Sequence, residues 1–302
     1  MKKETLGTLL AIMTAFVSGI AIPINKIFVV DLDPTVFTAI RALIIGVIFF
    51  ILASFQSKFD YQKFKKVPWK YLLAIGIIGG SFAFLMFFTG LKLTTGGRAA
   101  FLHKTLPIYI AVFAFIFLKE KVSLKQVYAL AVMFIGTILL FSAKISPSEF
   151  WLNPSLGDML VIGATILWAI ENTIARKAMI KGESNLVVSF ARMFFGAIIL
   201  FAVLILQYKL GLLLALTMQQ MINLCISVAI LFGYIFFWYW SIKLINVSKA
   251  STLLLLAPVI SLIIGVIVFG EPTPFLQLFG SALILAGAYV VVRIKSEFTT
   301  GV

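Results

Sequence analysis

Trp168, Glu171 and Asn172 stand at i, i+3 and i+4 in a stretch otherwise dominated by apolar side chains. That spacing puts all three on one face of a helix, where an indole wall lies beside groups able to hold a small polar solute. A carboxyl buried in such a place can also carry a proton across it. His103 and Lys104 form a second cluster, and His103 is the only histidine in the chain. An imidazole titrates near neutrality and suits a proton relay. A lysine near the centre of an apolar segment is too deep to reach water and needs a partner or a wet cavity. Tyr234 and Trp238, one turn apart, would add an aromatic wall, although aromatic stripes also serve packing and interfacial belts. The candidate solute-binding residues are therefore Lys104, His103, Trp168, Glu171, Asn172, Tyr234 and Trp238, with Glu171 and His103 as candidate proton carriers. At each position the alternative is a polar side chain satisfied by hydrogen bonds inside a helical bundle. From the rise per residue, Lys104 and Glu171 differ in depth by about 10 Å, so water or solute would have to bridge them.

Covalent chemistry finds no support. Cys225 is the only cysteine, which rules out a disulfide framework or a cysteine metal cluster within one chain. The sequence holds no phosphate-binding GxxxxGK[ST] loop, so no ATP hydrolysis is expected. Neither HExxH nor GxSxG occurs. No catalytic residue, cofactor or metal is therefore expected, and the chain does not read as an enzyme.

The elements that must position these residues are membrane helices. With 62% hydrophobic residues, 12% charged and a mean hydropathy of +1.12, the composition excludes a soluble globule. Ten stretches reach the length of about 20 residues that a bilayer requires. They lie near Leu6–Val29, Thr35–Phe55, Trp69–Leu91, Gly96–Leu118, Leu124–Phe141, Leu156–Met179, Leu186–Leu206, Asn223–Leu244, Ala250–Phe269 and Phe275–Ile294. The apolar run of the first stretch continues past Pro23 with no cleavage site, so it is expected to stay as a helix. The net charge of +14 does not imply nucleic acid, because its placement follows the membrane. Counted from Lys2 and Lys3, one side receives Lys58, Lys63, Lys65, Lys66, Lys70, Lys119, Lys121, Lys125, Arg176, Lys177, Lys181, Lys243, Lys249, Arg293 and Lys295. The other side keeps Lys92, Arg98, Lys144 and Lys209. Positive charge gathers on the cytoplasmic face, which puts both termini there.

Residues 81–142 repeat as residues 232–293 without a gap, at an offset of 151. Each half, 1–145 and 155–297, carries five spans, so the second enters the membrane from the opposite face. Inverted halves of this kind rock about a shared central site in many carriers. Polar residues common to both halves are expected to serve packing, topology and closure: Arg41/Arg192, Lys92/Lys243, Arg98/Lys249, Glu120/Glu271 and Gln126/Gln277. Arg41 and Arg192 lie deeper than the rest and are expected to bond backbone carbonyls or helix ends. Those present in one half only, such as His103 and Lys104 against Leu254 and Leu255, are expected to serve an asymmetric solute. Pro107 and Pro258 should bend or break their helices.

Two segments resemble the EamA-like repeat of the drug/metabolite transporter superfamily: "FVSGIAIPINKIFVVDLDPTVFTAIRALIIG", and "AAFLHKTLPIYIAVFAFIFLKEKVSLKQVYALAVMFIG" with its mid-helix proline, following glutamate, glutamine and glycine. The second half repeats the latter pattern as "STLLLLAPVISLIIGVIVFGEPTPFLQLFGSALILAG". The chain departs from the family at Ser18 and Gly19, where a tryptophan is common. The resemblance implies an all-α membrane protein, ten helices in two inverted five-helix repeats around a central cavity. It also implies the transport of small metabolites, with bacterial exporters of amino acids and related metabolites as the nearest branch.

The expectation is a secondary active exporter in the cytoplasmic membrane whose partners are a small-molecule substrate, membrane lipid and, potentially, a second copy of itself. A facilitator without ion coupling and a non-transporting scaffold or sensor are the alternatives. The charge placement makes a direct prediction. With Cys225 removed, a cysteine at Ser148 should react with an impermeant thiol reagent added outside cells, and one at Ser57 should not. The reverse result would invert the orientation.

Overall fold

The computed structural model describes residues 2–56, 68–142, 153–270 and 272–296. Glu271, Lys58, Lys63, Lys65, Lys66, Lys144 and most of the junction between the halves lie outside them. Ten helices long and apolar enough to span a membrane are present among the described residues. We number them α1 (Lys3–Phe28), α2 (Pro34–Gln56), α3 (Trp69–Leu93), α4 (Gly96–Leu118), α5 (Leu124–Ser142), α6 (Leu156–Ile180), α7 (Asn185–Leu206), α8 (Met218–Leu244), α9 (Val247–Phe269) and α10 (Phe275–Arg293). Side chains such as Phe55, Phe115, Tyr128 and Ile267 form part of an exposed apolar surface suited to lipid. Helix α8 begins five residues before the apolar run, at Met218. There Thr217 and Gln220 cap each other's backbone N–H groups, and polar Gln219 and Asn223 follow on an exposed turn.

The packing obeys the repeat. Helices α2 and α7, equivalent in the two halves, pack on each other, as do α5 and α10. The pairs α1–α8 and α6–α3 are equivalent to one another. Gly7 on α1 meets Leu244 and Ile245, while Gly157 on α6 meets the corresponding Leu93 and Thr94. Lys26 caps the end of α3 through Leu91 O and Thr94 O, each at 2.7 Å. Arg176 does the same for α8 through Ile242 O at 2.7 Å and Lys243 O at 3.1 Å. Both cases answer the same need, since the last carbonyls of a helix have no intrahelical donor.

Three irregularities shape the centre. Helix α4 breaks after His103 and restarts at Leu106, with Pro107 in its new first turn, and α9 tightens at Leu254–Leu256 just before Pro258. Both prolines interrupt their helices as expected, because neither can donate to the preceding turn. Pro23 leaves α1 continuous, and the carbonyl it cannot bond, that of Gly19, accepts from the Ser261 hydroxyl on α9. In α3 a π-helical segment, Gly76–Phe82, opens the backbone against α6 and α7. At the α1–α2 turn, burial alone would raise the Asp33 carboxyl. Lys209 Nζ at 2.7 Å and the Val36 and Thr35 amides outweigh it and hold the group below the usual carboxylate range.

The crossing of α3 and α7 tolerates no side chain. A Cβ on Gly80 would stand 1.7 Å from Arg192 O. Gly80→Val should therefore destabilise the detergent-purified protein by more than the roughly 1–3 kcal/mol typical of overpacking and lower its melting temperature sharply. Gly233→Ala, whose added carbon would meet only Val17 at 3.9 Å, should leave it unchanged. Equal shifts for the two would contradict the crossing.

Candidate functional site

Between the halves lies a cavity of ≈ 80 Å³. Helices α1 and α2 contribute Ser18, Asn25 and Arg41, α4 contributes His103, and α6 contributes Trp168 and Asn172. Arg192 on α7 and Tyr234 on α8 complete the polar part, and Phe84, Phe87 and Phe88 on α3 supply an aromatic floor. A water needs roughly 10–15 Å³ of such space, so the cavity has room for several waters or a compact solute in this conformation.

Helix α6 is the organising element. The Trp168 indole donates to Gly79 O at 3.1 Å, a carbonyl within the π-helical opening of α3. Its ring packs against Phe84, Phe87 and His103, with centroids 5.3, 5.1 and 5.4 Å away. One turn on, Asn172 donates to Trp168 O at 2.8 Å and accepts from the Trp238 indole at 2.6 Å. Tyr234 stacks on Trp238. The expected face of Trp168, Glu171 and Asn172 thus exists, and it is tied to the α8 stripe by hydrogen bonds.

Glu171 is fully buried behind the cavity wall. Its chain fills the place a side chain on Gly79 would take, 2.2 Å from Glu171 Cγ. Tyr239 Oη donates to one carboxylate oxygen, and Arg192 Nη1 lies 3.4 Å from the other while donating to Tyr239 Oη at 3.0 Å. The cationic partner of Glu171 is thus Arg192, while Lys104, whose depth already argued against direct contact, lies elsewhere. One expectation is corrected: Arg192 bonds a side-chain cluster inside the bundle, not the backbone carbonyls or helix ends assigned to the arginine pair. The reason is lateral: the glycines of α3 let α6 and α7 approach closely enough for their side chains to meet.

His103 and Lys104 are neighbours in sequence but face different spaces. His103 lines the central cavity, and its Nδ1 has no hydrogen-bond partner among the described residues. Lys104 lines a second hollow of ≈ 540 Å³ on the other side of α1, bounded by α1, α4, α5, α9 and α10. Its ammonium donates to Ser18 Oγ at 3.1 Å, and Ser18 borders both spaces. The departure at Ser18 is thus the contact that seats Lys104. Sequence reasoning did not single out Asn25, Arg41 or Tyr239 for the site. The sign for Tyr239 was its position one residue after Trp238; for Arg41 it was burial without an evident partner.

The two ends of the bundle close alike. At one end Arg98, at the start of α4, pairs with Asp158 of α6 at 2.7 Å. At the other, the equivalent Lys249, at the start of α9, pairs with Glu4 of α1 at 2.5 Å and donates to Ile294 O at 2.6 Å. Each latch joins a fourth helix of one half to the first helix of the other. Glu120 accepts from Val247 N, Ser248 N and Ser248 Oγ at the start of α9, a negative charge at a helix N-terminus, and lies 3.8 Å from Arg176. Packing, topology and closure, the roles expected of polar residues common to both halves, are all compatible with this geometry for Arg98/Lys249 and Glu120.

Removing one member of the Glu171–Arg192 pair should leave an uncompensated buried charge. Arg192→Met is expected to cost about 3–5 kcal/mol, and Arg192→Met/Glu171→Leu should recover most of that loss. Thermal unfolding of the purified variants measures it, and additive losses would mean that the two side chains are not coupled.

The sequence profile of the EamA-like transporter family matches residues 5–142 and 155–293, one repeat in each half. An uncharacterized transporter of Archaeoglobus fulgidus is 27% identical, covering 91% of this chain and 94% of its own. The uncharacterized transporter YyaM of Bacillus subtilis is 28% identical, covering 93% of both. A probable amino-acid metabolite efflux pump of Salmonella typhimurium is 26% identical over 94% of this chain and 93% of that one. A solved crystal structure, 18% identical, superposes with a TM-score of 0.72 over 95% of this chain and 98% of that one, which shows the fold. The chain belongs to the EamA-like transporter family of the drug/metabolite transporter superfamily, and it is a multi-pass membrane transporter, not an enzyme.

Proposed function

We propose that this transporter is a secondary active exporter of amino acids or related small metabolites, with both termini in the cytoplasm. The observation that carries the reading is a small central cavity between inverted halves, in a bundle whose two ends carry equivalent ion pairs. Opening towards one side requires breaking Arg98–Asp158, and opening towards the other requires breaking Lys249–Glu4. A solute held between them would see one side at a time. The Salmonella relative, described as a probable amino-acid metabolite efflux pump, supports the solute class.

In this reading His103, Trp168, Asn172 and Tyr234 contact the solute, while Glu171 and Trp238 hold the wall in place from behind. Lys104 fixes α1 through Ser18 at the border of the site. Of the two candidate proton carriers, His103 has the more suitable geometry. Its ring lines the cavity and its Nδ1 has no hydrogen-bond partner among the described residues, whereas Glu171 is sealed behind the wall, with one oxygen accepting from Tyr239 and the other 3.4 Å from Arg192 without a hydrogen bond.

Sealed vesicles containing the purified protein test this. A panel of amino acids, nucleobases and amphiphilic amines should reveal a solute accumulated against its gradient by a pH difference. His103→Gln should retain solute exchange and lose the pH-driven accumulation. If accumulation survives in His103→Gln but disappears in monodisperse Glu171→Gln, the carrier is Glu171. If it survives in both, neither group couples transport to protons. Exchange without accumulation in the wild type would indicate a facilitator, and no flux of any solute would favour a scaffold or sensor.

A further inference from the structure

The two equivalent arginines in the centre of this bundle have unequal surroundings. Helices α2–α3 correspond to α7–α8 at an offset of 151, and α1 corresponds to α6 at 150. The second register is the one in which Gly7 and Gly157 pack against equivalent residues, and Lys26 and Arg176 cap equivalent helix ends. Arg192 has Glu171 as its anion and Tyr239 as a hydrogen-bond partner. The counterparts around Arg41 are Ala21 for Glu171 and Phe88 for Tyr239. Gly79, which makes room for the Glu171 chain, is replaced by Ile230. In the first half, carboxylate and hydroxyl are both gone, and the arginine remains.

Arg41 is 2% exposed. Its Nε and Nη1 have no hydrogen-bond partner among the described residues. Its contacts are ring faces, Phe37 and Phe88, with centroids 4.4 and 4.8 Å from the guanidinium carbon. Arginine stays charged in proteins, and ring faces do not replace an anion or satisfy N–H groups held away from water. Arg41 nonetheless lines the central cavity together with Ala21 and Ile230. The acids that could have served it are engaged elsewhere: Glu171 with Arg192, Asp158 with Arg98, Glu4 with Lys249 and Asp33 with Lys209.

We infer that Arg41 is the docking group for a carboxylate on the transported solute, which stands to Arg41 as Glu171 stands to Arg192. The inference rests on the transporter reading and narrows its solute class to small carboxylates, among them small amino and hydroxy acids. A planar guanidinium matches a carboxylate through paired N–H donors. The volume of ≈ 80 Å³ favours compact molecules over long amphiphiles. The first half thus keeps the arginine and has no acid at the position of Glu171.

The test uses the full chain in detergent at fixed pH and ionic strength, with thermal unfolding as readout and L-alanine, lactate, L-alaninamide and inorganic phosphate as probes. At least one of the two carboxylates should raise the melting temperature saturably, and alaninamide and phosphate should not. Arg41→Gln should raise the half-saturating concentration by about tenfold or more. Ala21→Glu should supply the missing acid from α1, keep the fold and abolish the carboxylate response. Stabilisation by neither carboxylate, equal stabilisation by alaninamide, or a response unchanged in Arg41→Gln or Ala21→Glu would overturn the inference. The amide comparison needs no variant, so it decides even if both substitutions fail to fold. Vesicle flux separates this inference from the transporter reading beneath it. Flux of amines or amides that is indifferent to Arg41→Gln sinks the carboxylate and leaves transport standing. Carboxylate binding that depends on Arg41, with no flux of any solute, does the reverse.

Discussion

Hydrocarbon offers a buried charge no water, so every ion in this bundle depends on what the protein places beside it. The Glu171–Arg192–Tyr239 cluster is the deepest expression of that constraint. It joins α6, α7 and α8 through groups that are almost wholly inaccessible. The same constraint acts at the ends, where Lys26 and Arg176 satisfy carbonyls that would otherwise lack donors. Charge in this chain is therefore structural by default, and a cation that lacks such service, as Arg41 does among the described residues, is conspicuous.

Close backbone approach is what lets the cluster form. Gly79 and Gly80 sit in the π-helical segment of α3, and their lack of side chains admits Glu171 on one side and the α7 backbone on the other. The open segment also frees Gly79 O to receive the Trp168 indole. Packing, hydrogen bonding and charge pairing thus converge on one turn of α3. Association of helices in lipid relies on such small residues, because apolar burial contributes little when the solvent is itself apolar.

The repeat gives the molecule two of most elements, and the centre is where the two copies differ. The ion pairs at the two ends and the helix-end caps are present in both halves. The first half has replaced the acid, the indoles and the phenol of the second with Ala21, Ser18, Phe87 and Phe88. It also carries His103 and Lys104 at the break in α4, where the second half has two leucines. A cavity with one satisfied wall and one unsatisfied wall is suited to an asymmetric solute.

Class, span number and repeat could be read from the residues alone, because apolar run length and self-similarity are properties of the chain taken in order. The same holds for the broken helices at Pro107 and Pro258, since proline geometry is a local fact. Helix faces were legible too: Trp168, Glu171 and Asn172 do share one. Which faces meet was not legible. Rise per residue gives depth but not the rotation of one helix about another, so Glu171 could not be matched to Arg192 across the bundle. Nor could His103 and Lys104 be assigned to separate cavities, because α1 passes between those spaces and only its packing on α4 and α9 decides what each side chain faces. Tertiary structure decided the site because burial and partnership depend on separations of an ångström or two between helices distant in sequence.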